Sequence, residues 1–331
     1  MFAVVAKGAD PADPLSCLYT GEWPEPEVPY GWTTVSVRAA SLNQHDLWTL
    51  RGVGPPTRRM PVVLGSDAAG IDEDGNEVVV HSVIGDPGAG RGDETLDPRR
   101  ALLGEEHHGT FAERVAVPRR NLVPKPAGLS FEAAACLPGA WLTAYRMLFG
   151  ASGLAPGDTV LVQGAGGGVS TALIALGAVA GFRVWVTSRS AERRGRAVEI
   201  GAHAAFPVGE RLPERVDAVM ETVGEATWAH SLRSTRPGGR IVISGATTGG
   251  MPPADLHHVF FRQLTIVGST LGTLADLHAL SRLCATHGIA PLVDRVLPLD
   301  RAREGFEALE GGGVFGKVVF TPPSAAGADR G

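Results

Sequence analysis

Cysteine is scarce in this chain. Among 331 residues there are three, Cys17, Cys136 and Cys284. No two form a Cys-x-x-Cys pair, so neither a disulfide framework nor a thiolate zinc site has a basis in the spacing. An odd number of widely separated thiols reads as small apolar core residues. Long apolar runs are missing as well: none approaches the roughly 18 residues of a membrane span. The N-terminus lacks the charged-then-apolar pattern of a secretion signal, and the expected location is the cytoplasm. Nor is there a basic excess. A net charge of −5 gives no electrostatic reason to expect nucleic acid or an anionic membrane as partner. What is present, 44% apolar and 20% charged residues, suits a folded protein with room for two domains.

The organising stretch runs from Thr159 to Val169. Thr159-Val160-Leu161-Val162 reads as a short buried strand, Gln163-Gly164-Ala165-Gly166-Gly167-Gly168 as a tight turn, and Ser170 to Gly177 as a helix. Without side chains the turn lets a pyrophosphate approach the backbone, and the unpaired N–H groups of the first helical turn point at it. The context supports this. Arg183–Thr187, Val216–Met220, Gly239–Gly245 and Leu264–Gly268 are further strand candidates, with helical stretches between them such as 191–201. Apolar strands alternating with helices indicate a parallel sheet covered on both faces, the Rossmann pattern.

The first 125 residues have another texture. Short strands are expected at Val4-Val5, Thr33–Val37, Val62–Leu64, Glu77–His81 and Ala112–Val117, separated by proline, glycine and aspartate. They suggest a small β-rich, barrel-like domain. Residues 85–108, rich in glycine, aspartate and arginine, read as a long surface excursion. There, His107 and His108 with Glu105 and Glu106 either bind metal adventitiously or form a solvated loop. Ser130 is an expected N-cap, Leu274–Thr286 an amphipathic helix, and Lys317–Phe320 a strand returning to the first domain.

Several segments, in order, resemble the medium-chain dehydrogenase/reductase superfamily over about residues 1–320. They are Ser41-Leu42-Asn43-Gln44-His45-Asp46-Leu47-Trp48, Leu64-Gly65-Ser66-Asp67-Ala68-Ala69-Gly70, Gly109-Thr110-Phe111-Ala112-Glu113, Trp141-Leu142-Thr143-Ala144-Tyr145, Ala165–Val169 and Gly316-Lys317-Val318-Val319. The resemblance implies an α/β chain of two domains. A GroES-like β-barrel catalytic domain would span 1–125, completed by about 290–320, and a Rossmann doubly wound parallel-sheet domain 126–289, with a flexible tail at 321–331. It implies nicotinamide bound between the two, with Thr143, Gly164, Ala165, Gly166, Gly167, Gly168, Val169, Val223, Gly245 and Lys317 as cofactor positions. It also implies a homodimer formed through the last Rossmann strand, Leu264–Thr270.

Set against the zinc alcohol dehydrogenases of that superfamily, the chain carries Asn43, Ser66 and Gly139 where the three catalytic zinc ligands stand, and no cysteine in 85–108 for a structural zinc. Asn, Ser and Gly cannot form a shell of three N, S or O donors. The pattern is similar to the zinc-independent quinone and enone reductases. Hydride acceptance without a metal needs an activated acceptor, a quinone or an α,β-unsaturated carbonyl, and hydrogen-bond donors for the developing charge. Asn43 is the candidate donor. His45 falls at the position of the family's proton relay and is either that relay or a structural histidine. Trp48 replaces a tyrosine of many quinone reductases, Asp46 is expected to fix the loop, and Asp67 either orders Asn43 or a water or is a structural carboxylate. At the end of the second Rossmann strand, Ser188 and Arg189 with Arg193 and Arg194 offer cations and no carboxylate, which favours NADPH. The expected function is an NADPH-dependent, zinc-independent reductase of quinones or α,β-unsaturated carbonyls. The alternatives are an alcohol/aldehyde dehydrogenase with a rebuilt site and a non-catalytic NADPH-binding sensor.

Overall fold

A computed structural model describes residues 1–54 and 60–323. They fall into two compact units, one of Met1–Gly139 with the chain from Thr273 onward, the other of Ala140–Gly272. The divisions lie away from the expected 125/126 and 289/290, and packing gives the reason. The helix Phe131–Ala134, capped by the Ser130 hydroxyl accepting from Ala133 N–H at 3.2 Å, rests on strands Trp32–Ser41 and Asp67–Asp72. The helix Leu274–His287 is tied to the same unit by its first N–H, which donates to the buried Glu94 carboxylate.

The first unit is built on an antiparallel sheet in which Trp32–Ser41 is the long central strand. One of its edges pairs with Asp67–Asp72, and the other pairs first with Arg114–Pro118 and further along with Lys317–Thr321, which in turn pairs in parallel with Val293–Pro298. Alternation of inward residues along Trp32–Ser41 buries Val35 and Val37, as a strand with one covered face requires. The rings of Phe111, Phe306 and Phe320 meet in this core, Phe111 and Phe320 edge to face at 5.0 Å, a favoured aromatic arrangement. Register sets the site: Ser41 stands opposite both Asp67 and Val319, so Lys317 enters beside them two residues earlier.

The second unit is a six-stranded parallel sheet. In space its strands run Ala204–Phe206, Arg183–Thr187, Thr159–Gln163, Val216–Glu221, Thr235–Ile243 and Thr265–Gly268. Counted in chain order this is 3-2-1-4-5-6, with the switch of direction at Thr159–Gln163, where ligands bind in such sheets. The fifth strand begins earlier than expected and ends at Ile243, leaving Gly245 in the turn beyond it.

Two sequence expectations change. Residues 85–108 are a surface excursion only in part: 86–89, 91, 92 and 98–100 are exposed, while Glu94, Thr95, Asp97, Leu103 and Glu105 are buried. A run read as loop from its glycines and charges folds inward because those charges find partners, as when Asp97 accepts from Asp86 N–H at 2.8 Å. The tail expected from 321 does not begin there, since Thr321 still belongs to the last strand, and the rest of that expectation, from 324, lies outside the described residues.

Candidate active site

In the first unit the chain leaves the central strand at Ser41 and enters the helix Gln44–Leu50 through Asn43. Asp46 pins this junction. Its carboxylate accepts from Asn43 N–H at 2.8 Å and from Gly65 N–H at 3.0 Å, joining the helix start to the turn before Ser66. Burial pushes the Asp46 carboxyl up to about 6, against the pull of His45, the Asn43 N–H and Lys317. Asp46 therefore has the loop-fixing role expected of it.

Five polar side chains converge just beyond. Asp67, fully buried, accepts from Ser41 Oγ at 2.9 Å and from Ser66 Oγ at 3.0 Å. Asn43 Nδ2 lies 3.4 Å from both Ser66 Oγ and the Ser41 carbonyl. The Lys317 ammonium, 3% exposed, donates to Leu42 O at 2.7 Å and to Asn43 Oδ1, and stands 4.0 Å from the Asp67 carboxylate. Gly139 closes the cluster, in a π-helical turn at Leu137–Trp141. A Cβ there would lie 2.6 Å from each Asp67 carboxylate oxygen. Beneath it, burial pushes the Cys136 thiol up to about 12, leaving it a packed thiol that donates to Glu132 O at 3.2 Å.

His45 is directed elsewhere. Its Nε2 meets Glu105 Oε1 at 2.8 Å, Glu105 being buried and His45 partly exposed. Sequence reading missed this partner, having grouped Glu105 with His107 and His108 as a solvated or metal-binding patch. Instead the His107 ring packs against Trp32, tilted by 55° with centroids 5.1 Å apart, and His108 Nδ1 accepts from Val63 N–H at 3.1 Å. Trp48 follows His45 by three residues on the same helix and is half-buried, so the two share a helix face.

In the second unit, Gly164 takes φ 88° as the chain leaves the strand, a conformation that glycine adopts without strain. Helix Gly168–Val179 then starts with no side chain capping it, so its first N–H groups are open to an anion. Val223 packs toward Gly164, a Cβ on which would lie 3.7 Å from it. The neighbouring turn is held by buried Glu221, which accepts from Val223 and Gly224 N–H at 2.8 and 3.0 Å and from the hydroxyls of Thr227 and Ser231. Glu221 was not foreseen either. Gly245 lies against Thr222, and Thr143 is buried on the helix Leu142–Tyr145.

The strand end expected to choose the cofactor is compact. Ser188 is buried, and its Oγ accepts from Ser190 N–H at 3.3 Å. Ser190 caps the next helix, Ala191–Glu199. Arg193, on that helix, reaches back so that a Cβ on Gly166 would lie 3.0 Å from its guanidinium. Arg194 instead holds the Ser188 carbonyl at 2.8 Å, and Arg189 is exposed. The glycine turn is thus overlooked by Arg193.

Comparisons with known proteins agree with this architecture. The family described as "Alcohol dehydrogenase GroES-like domain" matches residues 29–127 and the family "Zinc-binding dehydrogenase" residues 168–286. The chain is 32% identical over 325 residues to a zinc-type alcohol dehydrogenase-like protein of Schizosaccharomyces pombe, covering 89% of this chain and 93% of that protein. It is 31% identical over 321 residues to an acryloyl-coenzyme A reductase of Metallosphaera sedula, covering 90% and 94%. Among solved structures, an NAD-dependent alcohol dehydrogenase superposes with TM-score 0.89 at 36% identity, over 97% of this chain and 99% of that one. A 2-octenoyl-CoA carboxylase reductase in complex with NADP and 2-octenoyl-CoA superposes with TM-score 0.88 at 25% identity, over 97% and 87%. The chain belongs to the medium-chain dehydrogenase/reductase superfamily, a family of oxidoreductases.

A family described as zinc-binding raises the question of a metal. The cluster does not fit one. Asn43 and Ser66 offer neutral oxygens already engaged with Lys317 and Asp67, and Gly139 has no donor. The Asp67 carboxylate occupies the space that a ligand side chain at 139 would need, and the Lys317 ammonium adds a positive charge beside it. Among the described residues, no group of three His, Cys, Asp or Glu side chains can hold a metal ion.

Proposed function

We propose that the protein is an NADPH-dependent, zinc-independent reductase of α,β-unsaturated carbonyl compounds or quinones. The observation that carries this reading is the Asn43–Ser66–Asp67–Lys317 cluster, in which an amide and a hydroxyl stand at positions where a metal dehydrogenase has ligands, with an ammonium held against the amide. When bound, NADPH supplies a hydride, which an unsaturated carbonyl accepts at its β-carbon, leaving negative charge on oxygen and a proton to be gained at the α-carbon. Asn43 Nδ2 is the donor for that oxygen, since its contacts with Ser41 and Ser66 are long for N–H···O bonds. His45 is the proton source. With Nε2–H on the Glu105 carboxylate, the ring exchanges its proton through Nδ1.

NADPH rests on the open N-terminus of Gly168–Val179 and on Arg193 over Gly166. The similar solved structures include both an NAD-dependent dehydrogenase and a reductase in complex with NADP. The strand end favours NADP, because Ser188–Ala191, the residues directly after Thr187, hold no carboxylate to repel a 2′-phosphate. Turnover of activated double bonds agrees with the acryloyl-coenzyme A reductase relative.

The test is a panel of quinones, enones, enals and enoyl thioesters, followed by loss of nicotinamide absorbance, with zinc measured in the same preparation. Reduction of one of these classes by protein without stoichiometric zinc is expected. Oxidation of simple alcohols by a zinc-loaded protein, abolished by chelation, would overturn the reading in favour of an alcohol dehydrogenase. Cofactor binding with no turnover of any class would leave a sensor.

A further inference from the structure

An ammonium can only donate, so the atom of Asn43 that faces Lys317 Nζ must be its carbonyl oxygen. The amide orientation, ordinarily ambiguous, is thereby fixed. Its NH2 group is turned toward Ser66 Oγ and the Ser41 carbonyl, at 3.4 Å each. Ser66 in turn spends its own proton on Asp67, so it cannot donate to the amide and force the opposite orientation. Lys317 is held for this task. Its Nζ is anchored on Leu42 O, its strand is registered against Ser41, and the buried Asp67 carboxylate at 4.0 Å offsets its charge.

From this geometry we infer that Lys317 is a positioning residue for Asn43, orienting its amide and polarising it so that Nδ2–H becomes a strong donor to the substrate oxygen. A positive charge on Oδ1 withdraws density from the amide nitrogen, and hydrogen bonds in series strengthen one another where solvent is excluded. The ammonium thus acts through an amide rather than on the substrate itself. Asp67 keeps the cation from repelling its surroundings, and Gly139 is small so that Asp67 can stand there. The inference rests on the proposed role of Asn43, and it differs from the expectation that Lys317 touches the cofactor.

The experiment is a double-mutant cycle on the whole protein with NADPH and two probes, crotonyl-CoA and 2-cyclohexenone. Asn43→Ala should lower kcat about 10²-fold. Lys317→Met should lower it roughly tenfold or more with KM for NADPH unchanged, and should cost nothing further when added to Asn43→Ala. Because Lys317→Met strips Asp67 of its cation, Lys317→Met/Asp67→Asn is made in parallel, and thermal midpoints show which variants are folded. Independently of turnover, the Asn43 side-chain amide is followed by NMR in selectively labelled protein. One of its proton resonances should move upfield when Lys317 is replaced. An unmoved resonance overturns the inference, and so does a Lys317→Met loss that is equally large in the Asn43→Ala background. A rise in KM for NADPH overturns it in favour of a cofactor contact. If Asn43→Ala leaves kcat intact while the resonance moves, the proposed role of Asn43 fails and the hold of Lys317 on the amide stands.

Discussion

In the proposed reading, Ser188 and Arg193 divide cofactor choice into repulsion and attraction. Ser188 is buried at the end of Arg183–Thr187, so Ser188→Asp would set a carboxylate where a 2′-phosphate is proposed to lie. That change is expected to reverse the preference toward NADH. Arg193→Ala should raise KM for NADPH about ten- to a hundredfold, the equivalent of one charge-assisted hydrogen bond, and change that for NADH little. Steady-state kinetics with both cofactors checks the pair, and an Arg193→Ala variant that loses both alike would show the adenosine site to be misplaced. Asp46 makes a different residue-scale prediction. Its carboxyl is pushed up to about 6 in the fold from an ordinary value of 3.8, first by burial. Between these values the unfolded chain releases the proton first, so stability from this group falls as pH rises through that window. It is fully present below about pH 4. The fall amounts to roughly 3 kcal/mol. Asp46→Asn has no such slope. Measured by urea denaturation, its stability relative to the wild type should improve between pH 4 and 7, and a constant gap would refute the assignment.

At the scale of elements, the turn after Val216–Glu221 is shaped by one buried carboxylate. Glu221→Gln keeps an oxygen for the Val223 and Gly224 N–H groups, and the Thr227 and Ser231 hydroxyls can rotate to meet the new NH2. Glu221→Leu strands the Val223 and Gly224 N–H groups and the Ser231 hydroxyl, at about 1–3 kcal/mol each where they stay dry, while the Thr227 hydroxyl keeps Gly224 O at 3.3 Å. The Leu variant is expected to lose several kcal/mol and to weaken NADPH binding, the Gln variant far less. Denaturation and cofactor titration distinguish them, and equal losses would mean that the charge itself is what matters. This network shows where sequence reading stops. The glycine turn was legible because local rules write it: a β-branched strand, a glycine at positive φ, an uncapped helix. Asn43, Ser66 and Gly139 were legible as departures from a known pattern. The partners that give them meaning were not, because they arrive from distant strands. Lys317 reaches Asn43 only through the pairing of Lys317–Thr321 with Trp32–Ser41. Glu105 reaches His45 from a run whose composition argues for solvent. Polarity in a sequence says that a group needs a partner, and only the fold says whether that partner is water.

For the whole molecule, the open question is what covers the edge of the six-stranded sheet. Thr265–Gly268 is its outermost strand, with Ile266 40% exposed. The segment leading to it carries Met251, Leu256, Phe260 and Phe261 at 92%, 68%, 60% and 81% exposure. An edge strand displays unpaired N–H and C=O groups, and apolar side chains gathered beside it invite a second surface. A second copy of the same chain satisfies both needs at once, since a two-fold axis beside the edge joins two sheets by one self-complementary patch. We therefore expect a homodimer through this edge. Light scattering at micromolar concentration should give twice the chain mass, and Ile266→Lys, which places a charge on each side of the axis, should shift it toward one. A wild-type monomer at that concentration would overturn the expectation. The monomeric variant carries a further consequence. Asn43, Ser66, Asp67, Lys317 and His45 all lie in one unit of one chain, and the glycine turn with Arg193 in the other unit of the same chain. Losing the dimer should therefore lower thermal stability while leaving the NADPH affinity of the folded chain within about threefold, a difference near the limit of additivity between distant sites. Loss of cofactor binding with the dimer would instead mean that the partner contributes to the site.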